Sequence, residues 1–165
     1  MTTLLHARLA VLAGLGLLRP GPRRALFREM REFSSRLPRL LERPLPEAMR
    51  LVDARPPDPV DDDLPERDIR ELADLTALLD RRSPLGLCLR RSLTRYHFLR
   101  RRHVSVTIHV GARRVDAPTA TDALGGHAWL TLDGQPYFED DDRWEDFAVM
   151  LSWPAPASDD GAPRA

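Results

Sequence analysis

The sequence predicts an α+β fold: a helical N-terminal half, one cysteine-bearing helix packed on a small antiparallel sheet, and a polar tail. Three observations predict it. Apolar residues recur at three- and four-residue steps through roughly the first hundred positions. Strict alternation of apolar and polar residues then takes over in "HVSVTIHV". Finally, Asp133-Gly134 separates two further strand-like runs and marks a hairpin turn. Helices grouped ahead of strands, rather than alternating with them, favour α+β over a parallel α/β sheet.

Each element follows in order. Residues 3–18 read as an amphipathic helix, and "RPGP" separates it from a second helix over 23–42. In the second helix Leu26, Phe27, Met30, Phe33, Leu37, Leu40 and Leu41 form one apolar stripe. The Pro- and Asp-rich stretch that follows reads as a linker with a short helical piece near Glu47–Val52. Helical periodicity returns at Ile69, Leu72, Leu75, Leu78 and Leu79. Ser83-Pro84 is a helix-start signal, so the cysteine helix is expected over roughly Pro84–Arg101, with Leu89, Leu93, Tyr96 and Leu99 as its buried stripe. Val104, Val106, Ile108 and Val110 alternate along a strand, "ARRVDAPTATDALGG" reads as a loop, and "HAWLTLDGQPYFED" reads as strand, turn, strand. The expected division is a helical region with its linker over 1–68, the cysteine-bearing domain over 69–151 and a disordered tail over 152–165.

Composition narrows the function classes. The chain of 165 residues suits one domain with a modest core. No stretch reaches the ~20 apolar residues of a membrane span, so no transmembrane segment is expected. The run Leu9–Leu18 lacks a small-residue cleavage site after it and does not read as a signal peptide. A single cysteine, Cys88, makes no internal disulfide and no metal cluster, which fits a reducing cytoplasm and implies neither metal nor cofactor. Net charge is zero, but the charges fall in blocks. Residues 81–114 carry ten Arg and no acid, while residues 51–80 carry three Arg against ten acids. Such blocks favour internal pairing or an acidic partner. The basic block contains no evident nucleic-acid module, which argues against a nucleic-acid partner.

The chemistry centres on Cys88. Near a helix N-terminus, unpaired N–H groups and the helix dipole favour the thiolate, as do Arg81, Arg82, Arg90 and Arg91 nearby. The same N–H groups can hold the oxyanion of an attacked carbonyl. A base is then required. Of five histidines, His6 sits in the N-terminal helix, a solvated helix face accounts for His97 and His103, and His109 lies on the polar side of a strand. His127 opens the second strand after two glycines. A two-residue turn at Asp133-Gly134 sets His127 opposite Asp140; a three-residue turn with a bulge sets it opposite Glu139. Either carboxylate could fix the imidazole tautomer. With no asparagine in the chain, a third catalytic member must be a carboxylate, and no glutamine precedes the cysteine to bind an oxyanion.

"CLRRSL" (Cys88–Leu93), "FLRRRHVSVTIHVGARR" (Phe98–Arg114) and "HAWLTLDG" (His127–Gly134) resemble the transglutaminase-like cysteine peptidases of lasso-peptide maturation. That family reads C-L-x-R-S-L, a leucine-arginine helix end, a strand ending near glycine, and H-A-W-V-E-x-D-G. The resemblance covers about residues 70–150. It implies a papain-like α+β fold, with Cys88 as nucleophile and His127 as general base. The family's acid position falls on Glu139, where Asp is usual, and Asp140 follows it. Thr131 stands where the family has Glu. The implied activity is removal of the leader from a ribosomally made precursor peptide. The implied partners are that precursor, a separate leader-recognition protein and an ATP-dependent cyclase that closes the ring. An acyl transferase that passes the thioester to an amine, and a non-catalytic precursor-binding scaffold, are the alternatives.

Overall fold

The computed structural model describes residues 21–53, 64–114, 124–139 and 142–155. The helix expected over 3–18, most of the Pro/Asp-rich stretch, the 115–123 loop, Asp140 and the end of the tail lie outside the described residues. Among the described residues four helices precede a sheet: α1 (Pro22–Leu40), α2 (Leu45–Asp53), α3 (Glu66–Leu79) and α4 (Leu87–Arg101). The sheet comprises β1 (Val106–Arg114), β2 (Leu124–Leu132), β3 (Gln135–Pro136) and β4 (Ala148–Trp153), and a 3-10 turn over Asp142–Asp146 leads into β4. The strands lie in the order β3-β2-β1-β4, all antiparallel. This is the α+β arrangement expected of the sequence.

Helix α1 starts with Pro22 at its first position, where the missing N–H is no loss. Its stripe buries Leu26, Met30 and Leu37, with Phe27, Phe33, Leu40 and Leu41 packed at the margin. Helix α2 is more than a fragment within a linker. It buries Ala48, Met49 and Val52 and offers Val52 O and the Asp53 carboxylate to α4. In α3, Ile69, Leu72 and Leu75 are buried as the periodicity predicts, but Leu79 is 56% exposed. Leu26, Met30, Met49, Val52, Leu72, Leu93, Leu99, Ile108 and Leu130 share one continuous core.

Helix α4 is the central strut. Nine of its residues between Arg90 and Leu99 are buried, polar ones included. The solvated face expected for His97 is therefore absent. His97 is 9% exposed, stacked on Phe33 at 4.1 Å, with Nδ1 2.6 Å from Val52 O. Three helices cover one side of α4 and the sheet covers the other, so even its arginines go inside. They do so paired. Arg95, fully buried, makes a bidentate contact with Asp74, Nε donating to Oδ1 at 3.1 Å and Nη2 to Oδ2 at 2.9 Å. Arg100 bonds Asp53 at 2.9 Å, and Arg101 bonds Glu29 at 2.9 Å. Burial pulls the Arg95 pKa down and the nearby Asp74 carboxylate opposes it. Arg91, Arg95, Arg100 and Arg101 of the basic block are thus paired with acids from other parts of the chain.

Strand β1 runs to Arg114, and β2 begins at Leu124, so the paired ribbon extends into residues expected to be loop. The reason is tertiary: Gly111–Arg114 pair in register with Leu124–His127, while Gly111 and Ala112 also pair with β4. Strand β4 has no expected counterpart. It closes the sheet's far edge through Trp153, two residues into the tail expected to be disordered. Among the described residues, no helix is long and apolar enough to cross a membrane.

Candidate active site

The cysteine helix starts at Leu87, three residues later than the Ser83-Pro84 signal predicts. The Ser83 hydroxyl instead accepts the Leu85 N–H at 3.3 Å, closing a bend. Arg90 holds that bend in place. Its guanidinium donates to the carbonyls of Ala77 (2.8 Å), Leu85 (3.1 Å) and Asp80, tying the end of α3 to the start of α4. Gly86 becomes the N-cap, and Cys88 becomes the second residue of the helix, inside its first turn. No side chain caps that turn and no acid lies in it, so its backbone N–H groups are not spent within the helix or on a capping side chain.

The sulfur is half-buried, and Cys88 Sγ lies 3.9 Å from the Gly126 carbonyl oxygen. One helical turn on, Ser92 Oγ donates to Ala128 O at 2.8 Å. The cause lies in the sheet. Strand β3 is only two residues long, and its pairing with β2 ends where Tyr137 N–H donates to Leu130 O. Carbonyls of alternate residues point to the same edge of a strand, so Gly126 O and Ala128 O share that edge with Leu130 O but, among the described residues, have no strand beside them. Helix α4 covers this vacant edge with Cys88 and Ser92. His127 sits between the two contact points. Covalent geometry then holds its Cα within about 7 Å of the sulfur.

Alternation along β2 sends Ala128 and Leu130 into the core, and His127, Trp129 and Thr131 to the other side of the sheet. There the His127 ring stacks with Trp129 (centroids 5.8 Å, interplanar angle 15°) and meets Phe147 (5.2 Å). Trp129 also stacks with His109 at 5.4 Å. The His109 ring bonds Ser152 Oγ through Nδ1 (2.8 Å) and Thr131 Oγ1 through Nε2 (2.9 Å), linking three strands. Burial lowers the His109 pKa, so it stays neutral near pH 7. Gly111 makes the packing possible: a Cβ there would lie 2.9 Å from Trp129 and from Phe147.

The hairpin turn has two residues. Leu132 pairs with Gln135, and Asp133 and Gly134 adopt φ of 51° and 77°. That register counts toward Asp140 rather than Glu139 opposite His127, but the ladder does not run so far. Phe138 takes a φ of 61° and turns the chain out, with its carbonyl held by Arg95 at 2.8 Å. Glu139 is carried to α4, where Arg91 bonds it at 3.1 Å and Arg95 lies 3.7 Å away; its side chain is only 6% exposed. Cys88, Arg91, Ser92 and Arg95 all lie on one face of the helix. The structure thus brings Cys88 to the backbone beside His127, and Glu139 to the same face of the cysteine helix. Asp140 lies outside the described residues. Of the arginines expected to favour the thiolate, Arg90 is engaged by carbonyls and Arg91 by Glu139. Sequence reasoning missed Ser92, Gly111, Phe147 and the pairing role of Arg91. The one available signal was the four-residue step from Cys88 to Ser92.

No curated protein and no solved structure matches the chain. Residues 33–152 match the family model described as the transglutaminase-like superfamily, a span that takes in Cys88, His127 and Glu139. Cysteine-based catalysis is typical of that superfamily. The match covers most of the chain, and the cysteine-headed helix laid on an antiparallel sheet is the fold it calls for: the chain belongs to the transglutaminase-like superfamily.

Proposed function

We propose that this protein is a cysteine peptidase that removes the leader segment from a ribosomally synthesised precursor peptide of the lasso type. One observation carries the reading: the Cys88 sulfur sits in an uncapped first helical turn, 3.9 Å from the carbonyl of the residue that precedes His127. The lasso-type motifs around Cys88 and His127 supply the substrate class.

In this mechanism His127 takes the Cys88 thiol proton as the sulfur attacks the scissile carbonyl carbon. First-turn N–H groups of α4 stabilise the resulting oxyanion. Collapse of the tetrahedral species breaks the C–N bond, and the imidazolium gives its proton to the departing amine. The leader is left as a thioester on Cys88. Water, deprotonated by His127, then attacks the thioester and releases the leader carboxylate and the free thiol. One of the two adjacent carboxylates, Glu139 or Asp140, orients the imidazole. A separate leader-recognition protein presents the precursor, and an ATP-dependent cyclase consumes the freed amine. All of this takes place in the cytoplasm, with no nucleic acid and no cofactor involved.

The test is incubation of the pure protein with a precursor peptide and its recognition partner, followed by mass spectrometry of the products. Wild-type protein yields free leader and core. Cys88→Ala yields neither while keeping its circular dichroism spectrum, and His127→Ala is nearly as damaging. Cleavage by Cys88→Ala at the wild-type rate would end the assignment. Transfer of the leader to an added amine in place of water would reassign the enzyme as an acyl transferase.

A further inference from the structure

A cavity of about 340 Å³ lies between α1 and the end of α3, bordered by the bend that leads into the cysteine helix. None of its lining residues belongs to the sheet. Ser34 and Thr76 line it, each 2% exposed, and the hydroxyl oxygen of each is buried without a hydrogen-bond partner. A buried hydroxyl left unpaired costs about 1–3 kcal/mol, so two of them in one cavity point to a ligand that completes them. Arg31 and Arg82 line the same cavity, are exposed, and make no ion pair among the described residues. The one acid in the lining, Asp80, lies 3.6 Å from the buried Arg90. The rim is therefore positively charged, whereas the buried arginines Arg90 and Arg95 are matched by Asp80 and Asp74. Pro38, Leu79 and Pro84 add an apolar wall.

We propose that this cavity binds an acidic peptide segment. Its carboxylate would pair with Arg31 and Arg82, its polar atoms would reach Ser34 and Thr76, and a neighbouring apolar side chain would lie on the proline and leucine wall. Guanidinium groups recognise carboxylates through paired N–H donors. The volume suits two or three residues of peptide and is generous for a small inorganic oxyanion. Arg82 and Pro84 belong to the bend that sets the start of α4, so a peptide held here rests on the element that presents Cys88. The occupant is read as a segment of the precursor, and only that identification rests on the proposed peptidase function.

The experiment measures fluorescence anisotropy of a fluorescein-labelled peptide alternating Glu and Leu, titrated with the full chain carrying Cys88→Ala to prevent turnover. The Glu peptide binds saturably, and a peptide with Gln for each Glu binds about tenfold more weakly or worse. Arg31→Ala with Arg82→Ala loses about tenfold in affinity. Ser34→Ala with Thr76→Val weakens binding several-fold while raising the unfolding midpoint, because the unpaired hydroxyls are gone. Equal binding of the Glu and Gln peptides overturns the proposal. So does an unchanged affinity in the double arginine variant, provided its circular dichroism is native. Displacement of the peptide by inorganic phosphate at matched concentration also overturns it, in favour of a small oxyanion. Acidic-peptide binding by a protein that cleaves no precursor would sink the peptidase reading alone. Cleavage without such binding would sink only the cavity.

Discussion

Gly111 stands directly opposite His127 across the β1–β2 pair, and the space its missing side chain leaves is filled by Trp129 and Phe147. Those are the two rings the His127 imidazole meets. The position of the candidate base is therefore built from the neighbouring strand. Gly111→Ala is expected to push both rings and to cost about 1–3 kcal/mol of stability, as overpacking does. In precursor cleavage it lowers kcat more than it raises KM. Urea unfolding and steady-state kinetics check this, and a variant with wild-type stability would show that the crowding is relieved elsewhere.

Glu139 and Asp140 separate by experiment. Glu139→Gln leaves Arg91 without its carboxylate and weakens the anchor of the segment after Phe138, so it is expected to lower the unfolding midpoint whatever it does to activity. The useful quantity is kcat at a temperature where each variant is fully folded. Whichever of Glu139→Gln and Asp140→Asn loses orders of magnitude there marks the carboxylate that orients His127.

Arg90 holds three carbonyls from two elements with one planar group. Arg90→Ala leaves those carbonyls without their donor and is expected to cost about 3 kcal/mol. Arg90→Lys should recover little, because a point charge cannot span all three acceptors. Chemical denaturation of both variants reads this out. Full rescue by lysine would mean that charge, rather than the planar fork, does the holding.

His97 links α4 to α2 and α1 as a neutral ring. Burial is the largest influence on it and lowers its pKa, outweighing the opposing hydrogen bond to Val52 O, while Arg101 lowers it further. A histidine whose folded pKa lies below its unfolded value near 6.5 binds fewer protons when folded. Its stabilising contribution is complete above that unfolded value and is lost as the pH falls toward the folded one. Unfolding midpoints should therefore drop between pH 7.5 and pH 5. His97→Phe, which keeps the stack on Phe33, should reduce that drop even if it is less stable at pH 7.5. His109 is shifted in the same direction by burial, so the drop is reduced rather than abolished.

Much of this molecule is written locally. The helical stripes of α1, α3 and α4, the alternation of β1 and the two-residue turn at Asp133-Gly134 all follow from the spacing of apolar residues and from turn chemistry. So does the grouping of helices ahead of strands, and with it the fold class. Cys88 at a helix start and His127 on a strand were readable for the same reason, since each depends on its own neighbours in the chain.

Folding decided everything that depends on what lies opposite a residue. Nothing near His97 in the chain announces that three helices and a sheet will bury it, and nothing near Arg91 names Glu139 as its partner. The short β3 leaves two β2 carbonyls vacant, and only the docking of α4 turns that vacancy into the seat of the cysteine. A register counted outward from the turn fails at Phe138 because a buried guanidinium on another element takes that carbonyl. Hydrophobic period is a local property, while pairing of charges and closure of edges are settled between elements far apart in the chain.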